Sequence, residues 1–214
     1  MDKGGVLVTG GSRRIGRVIA LALADAGHCV AILTRSPSPE GAAVVAEIEA
    51  RGVKGMLIEG DLSNEDSLRG IFTRVTEFLG PMTGLVNCAS LFEWDDINSV
   101  SYKSILDHSS TNLAGPLILT SDLITYLKEN RVGNGTGCVV NVLDQKLASP
   151  NGDHLSYTVS KYALEGATRA LSRSLAPIAR INAVSPGHTL QSTEQTDRGF
   201  ALAQSQSPLG YGPT

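Results

Sequence analysis

With 214 residues, 42% apolar and 18% charged side chains, the chain is long enough for one domain with a substantial core and too apolar for disorder. The longest apolar run, Val18 to Ala24, falls far short of the roughly 18 residues a membrane span needs, and no export signal follows Asp2-Lys3-Gly4-Gly5, so a cytoplasmic location is expected. A formal charge of −3 excludes a nucleic-acid backbone or an anionic membrane as an expected partner, and Cys29, Cys88 and Cys138 lack metal-ligand spacing, so they read as buried reduced thiols.

Short β-branched runs alternate with stretches of helical period along nearly the whole chain. Strands are predicted near 5–9, 29–34, 54–59, 84–88, 137–142 and 180–184. Helices are predicted near 15–27, 39–51, 64–79, 98–108, 112–130 and 155–176. Most of the strands are apolar without alternation, as in Val6-Leu7-Val8 and Val30-Ala31-Ile32-Leu33. That pattern fits strands covered on both faces, so the expected fold is α/β: a Rossmann-type doubly wound parallel sheet in a three-layer α/β/α sandwich, formed by residues 1–214 as a single domain.

The first strand runs into Thr9-Gly10-Gly11-Ser12-Arg13-Arg14-Ile15-Gly16 and then a helix. Its glycines do not fit Gly-x-Gly-x-x-Gly, but they permit a tight turn that sets backbone N–H groups and a helix N-terminus against a diphosphate, with two arginines adding positive charge. Gly10, Ser12, Arg13, Arg14 and Ile15 are the candidates for that contact. The second strand ends in Thr34-Arg35-Ser36, without the acid that would hold an unphosphorylated ribose. Arg35 and Ser36 suit a 2′-phosphate instead, which favours NADP(H) over NAD(H); the alternative for Arg35 is a solvated loop cation.

Further on, Tyr157 and Lys161 stand four apart on one helix face, and Asp144 precedes the tyrosine by thirteen positions (157 − 144). An ammonium beside a phenol favours phenolate, so Lys161 is expected to lower the pKa of Tyr157 and make it a proton donor or acceptor near neutrality.

With these motifs in this order, the sequence resembles the short-chain dehydrogenase/reductase family over essentially its whole length. The resemblance implies further site residues. Asp61-Leu62 is similar to the family's adenine contact, and Asn87-Cys88-Ala89-Ser90 to its Asn-Asn-Ala-Gly segment, with Asn87, Ala89 and Ser90 as cofactor contacts. Asn112, at the start of a long helix, corresponds to the asparagine of the catalytic tetrad beside Asp144, Tyr157 and Lys161, and the resemblance makes Tyr157 and Lys161 cofactor contacts as well, Lys161 at the nicotinamide ribose. Ser185-Pro186-Gly187-His188-Thr189 is similar to the loop over the nicotinamide, which implies contacts from Pro186, Gly187 and Thr189.

Two departures point to one branch. Most family members carry Gly where this chain has Arg14, and Ser where it has Asp144. Both substitutions, together with Phe92, resemble the pteridine reductase and dihydromonapterin reductase branch, whose aromatic sandwiches a pterin against the nicotinamide. Arg14, Phe92, Asp144 and Tyr157 are therefore expected to contact a pterin. Phe92 as plain core and Asp144 as a turn cap are the alternatives. A ketone (3-oxoacyl) reductase and a non-catalytic NADP(H)-binding sensor also stay open as functions.

His28, His108, His154 and His188 are too scattered for a metal, and none is expected; structural or solvated roles are assigned to all four. Asp95-Asp96 reads as a polar loop or helix cap, and Trp94 as a pocket wall or a surface aromatic. Family resemblance implies a homodimer or homotetramer, and implies a seventh strand beyond Thr214 that the chain does not carry. Residues 188–207 are expected to form a substrate-covering loop and helix.

Overall fold

The computed structural model describes residues 3–191, 196–207 and 209–212. Six parallel strands form one sheet: β1 (Gly5–Thr9), β2 (Val30–Thr34), β3 (Gly55–Glu59), β4 (Met82–Asn87), β5 (Gly137–Val142) and β6 (Ala179–Val184), in the order β3-β2-β1-β4-β5-β6. The order reverses between β1 and β4, so a crevice opens above the carboxyl ends of those two strands, where open α/β sheets bind ligands.

Alternate residues of β1 feed two cores. Val6 and Val8, with Val30 and Ile32, pack on one face against Ala20, Leu21 and Ala24 of α1 (Arg14–Asp25) and Val44 and Ile48 of α2 (Pro39–Glu49). Leu7, Leu85 and Val139 meet the other layer through α4 (Ile71–Leu79) and α6 (Gly115–Glu129), where Phe72, Leu119 and Leu123 are fully buried. The three-layer arrangement follows from this double coverage.

Two helical stretches differ from expectation. The segment expected as one helix over 64–79 is broken into α3 (Glu65–Leu68) and α4, because Asp122 of α6 accepts from Gly70 N at 3.0 Å and Phe72 N at 3.2 Å while Gly70 takes φ +72°. A carboxylate from a distant helix thus caps α4 and ends α3. Conversely, the two helices expected at 98–108 and 112–130 are joined. α5 (Tyr102–Ser109) passes through a π turn (Ser110–Ala114) straight into α6, so Asn112 sits inside a continuous helix rather than at a helix start. Residues 98–101 precede the helix, which Ser101 opens as a capping box with Ser104.

α7 (Leu155–Ser174) follows a short 3-10 turn (Gln145–Leu147) and crosses to β6, the edge strand, whose Arg180, Asn182 and Val184 are exposed. α8 (Asp197–Ser205) lies in the stretch expected to cover the substrate; residues 192–195 of that stretch fall outside the described residues.

Candidate active site

The turn after β1 is shaped by backbone approach. Gly10 has φ +67°, and a Cβ there would come within 3.0 Å of Ala89 Cα; at Gly16 a Cβ would lie 2.2 Å from Gly10 O. Thr9 Oγ1 accepts from both Cys88 N and Ala89 N at 2.9 Å, fastening this turn to the segment after β4. No side chain caps α1, so its first N–H groups are left for a ligand. The 10–12 backbone, the start of α1 and Arg13 could together hold a diphosphate. Arg14 holds a left-handed backbone, φ +47°, which costs a non-glycine residue roughly 1–2 kcal/mol. Its guanidinium donates to Leu190 O at 3.1 Å, so it spans the cleft toward the 188–191 segment.

At the far end of the cradle Arg35 lies 3.7 Å from Asp61. The Asp61 carboxyl is held below its ordinary range, first by bonds from the Ser63 hydroxyl and amide and also by Arg35. A cavity of about 490 Å³ opens here, lined by Arg35, Asp61, Ser67, Arg69 and Arg74. Ser36 is exposed beside it, whereas the Leu62 side chain is buried in the core, so Leu62 offers a ligand backbone only. Asn87, at the end of β4, donates to Asn141 Oδ1 at 2.8 Å and leaves its own Oδ1 buried without a partner.

The reacting groups converge above β4 and β5. Tyr157 donates its hydroxyl to Asp144 Oδ2 at 2.7 Å, while Asp144 Oδ1 accepts from Lys146 N at 2.8 Å. The two readings of Asp144, turn cap and phenol partner, are both realised, one on each oxygen. Lys161 is almost fully buried, donates to Val142 O at 2.8 Å, and sits 5.7 Å from the Tyr157 ring centroid. The expected lowering of Tyr157 by Lys161 is corrected by this geometry: burial, followed by the Asp144 carboxylate, pushes the phenol up well beyond its ordinary value. Burial in turn pulls Lys161 down to about 8. Tyr157 therefore keeps its proton, as a donor must.

Asn112 is used at both ends of its amide. Its Oδ1 accepts from Leu91 N at 2.7 Å and Ser90 Oγ at 3.1 Å, and its Nδ2 donates to Leu91 O at 2.9 Å and Ser160 Oγ at 3.0 Å. The π turn that carries it thus ties the 90–91 loop to α7; such turns cluster at functional sites. Phe92 is 56% exposed, stands perpendicular to the Tyr157 ring at 4.7 Å between centroids, and is not plain core. Pro186, Gly187 and Thr189 lie next to the Asp144 turn, where Gln145 N donates to Pro186 O at 3.1 Å.

Several participants were not legible as such. His154, assigned a structural or solvated role, stacks on Phe92 at 4.0 Å. Asp95 caps α7 by accepting from Ser156 N at 3.0 Å and from the Ser156 hydroxyl, as the cap reading expected, but its place beside the tyrosine had no local signal. Arg69, the residue after α3, and Arg74 of α4 line the cavity beside Arg35, a position that no local signal indicated. Trp94 is exposed, and His188 contacts Gln145 rather than the tyrosine.

The profile of the family described as short chain dehydrogenase matches residues 5–199. Among solved structures, the FolM alternative dihydrofolate reductase 1 of Brucella suis, in complex with NADP, is 38% identical with a TM-score of 0.91, covering 100% of this chain and 84% of that one. A short chain dehydrogenase from Burkholderia cenocepacia, also in complex with NADP, is 30% identical with a TM-score of 0.87, covering 99% of this chain and 85% of that one. Among curated relatives, the 3-oxoacyl-[acyl-carrier-protein] reductase of Staphylococcus epidermidis is 30% identical over 182 residues, which is 85% of this chain and 73% of the relative.

Proposed function

The chain belongs to the short-chain dehydrogenase family, and from that premise we propose that it is an NADPH-dependent reductase of a dihydropterin. The observation that carries this reading is the 2.7 Å bond between Tyr157 and Asp144 beside the exposed Phe92 ring, a proton-holding pair next to a flat aromatic surface. The likeness to the Brucella enzyme supports it.

When bound, NADPH supplies a hydride from its nicotinamide to a ring carbon of the substrate. The residues of the chain do the rest. The 10–16 turn and α1 hold the diphosphate, and Arg35 with Ser36 takes the 2′-phosphate. Asp144 keeps the Tyr157 hydroxyl oriented, and its charge together with burial keeps the proton on oxygen until a ring nitrogen comes within reach. Tyr157 then gives that proton, and the Lys161 ammonium opposes the negative charge left on the phenol. Asn112 fixes the loop before Phe92, so the aromatic face and the donor keep one relative position. The Arg14 fork suits the donor and acceptor edge of a pterin.

A ketone reductase is the second reading, favoured by the Staphylococcus relative; the same phenol would protonate a carbonyl oxygen. Exposed Tyr102, Ile105, Leu106 and Val159 on α5 and α7 support assembly into a homodimer or homotetramer. Among the described residues no helix is long and apolar enough to cross a membrane, and the reading places the protein in the cytoplasm. The test is NADPH oxidation by the full chain with a dihydropterin beside a 3-oxoacyl ester. Pterin-dependent oxidation is expected; oxidation with the ester alone would transfer the assignment to the second reading.

A further inference from the structure

His154 precedes α7 in a left-handed backbone conformation, φ +47° and ψ +48°, that a histidine holds only at some cost. It caps nothing with its side chain. Its ring instead lies flat against Phe92, centroids 4.0 Å apart and planes 15° from parallel. Nδ1 contacts Glu93 O at 3.0 Å, and because a carbonyl can only accept, this nitrogen carries the proton. The imidazole is therefore held at a fixed angle by the backbone of the residue next to the ring it covers.

The other side of that residue is held too. Glu93 N donates to His108 Nε2 at 3.3 Å, and His108 Nδ1 donates to Ser104 O at 2.7 Å. Two residues later, Leu155 N donates to Asp95 O at 3.2 Å and Ser156 N to Asp95 Oδ1 at 3.0 Å. Residues 92–95 and 154–157 are thus laced together, and Tyr157 closes the lacing by standing edge-on to Phe92 at 4.7 Å. One face of Phe92 is covered by an imidazole, yet the residue stays 56% exposed. What remains open is a flat apolar surface beside the proton donor, with its plane set by His154.

We propose that His154 is a specificity-determining residue: it backs Phe92 and fixes that ring as a shelf for a planar conjugated substrate at the Tyr157 hydroxyl. The inference rests on the dihydropterin reading and adds to it a residue that need never touch the pterin. An aromatic pair of this kind holds a ring in one orientation with an interaction equivalent to about three- to tenfold in an equilibrium constant, so its loss should appear in substrate affinity more than in the chemical step. A long flexible acyl chain has no comparable need for the shelf.

The experiment compares two variants of the full chain with NADPH and a dihydropterin. His154→Asn keeps a residue that tolerates the left-handed backbone and can still donate to Glu93 O, but removes the ring. His154→Phe keeps a ring face and removes the donor. The Asn variant is expected to raise KM for the dihydropterin about three- to tenfold with a smaller effect on kcat, and the Phe variant to restore most of it. Combined with Phe92→Leu, the Asn change should add little further, since it acts through that ring. Equal behaviour of the two variants, or a full additive loss in the double variant, would overturn the role of the ring plane. A wild-type chain with no dihydropterin turnover would instead overturn the reading beneath it, so the two failures are told apart by the wild-type rate.

Discussion

The two halves of the sheet make their sites in different ways. Around β1 and β2 the cradle is built mainly from backbone: Gly10 and Gly16 exist so that chain can lie on chain. Around β4 and β5 the site is side-chain lacing, in which Asn112, Asp144, Ser156 and Tyr157 are all engaged with partners. A backbone cradle recognises what is common to every dinucleotide, whereas a laced set of side chains can be changed residue by residue to suit a substrate. Substrate choice should therefore be mutable in the second half without loss of the first.

The sharpest break of that contrast is Tyr157→Phe, which should lower kcat by about 10²-fold or more while NADPH affinity, read by fluorescence titration, stays near wild type. A parallel loss of NADPH binding would mean that the halves are not separable. Gly16→Ala should do the reverse. Its methyl group would meet Gly10 O at 2.2 Å, so the turn must reshape, with about 1–3 kcal/mol lost in denaturant unfolding and weakened NADPH binding. Removing Arg35 with Arg35→Ala deletes charge-assisted bonds to phosphate, and NADPH binding should weaken about 10- to 100-fold with NADH little affected. Unchanged preference would return Arg35 to the role of a solvated cation.

The smallest effect is the pH dependence of stability that Lys161 confers. Burial pulls its folded-state value down to about 8 from the ordinary lysine value near 10.5. The unfolded chain then binds more protons between those two values, so this group's penalty is full below about pH 8 and fades as pH rises toward 10.5. Lys161→Met should be inactive, and any stability advantage it has over wild type in unfolding titrations should shrink across that interval. An advantage that grows with pH would contradict the assigned burial cost.

How far the sequence foretold this follows the same division. The strands were readable to within a residue or two because strands buried on both faces must be apolar throughout, as Val6-Leu7-Val8 is. The glycine turn and the Tyr157–Lys161 spacing were readable because each is local. The break between α3 and α4 was not, since it depends on Asp122, 52 residues from Gly70. Nor was the π turn, where local period is unchanged and the irregularity is balanced by the bonds of Asn112 to Leu91 and Ser160. His154 and Asp95 fell outside the motif for the same reason: their partners lie 61 residues away, in a loop whose path no spacing predicts. The direction of the Tyr157 shift was missed because spacing shows which charge is near but not how much water is lost.

The measurement that bears most directly on the account is the rate of Asp144→Ser with a dihydropterin and with a 3-oxoacyl ester, each at saturating NADPH. If the carboxylate and phenol together hold the proton that a ring nitrogen takes, the dihydropterin rate falls by at least about tenfold more than the ester rate. Equal losses on both substrates, or an undiminished dihydropterin rate, would contradict it.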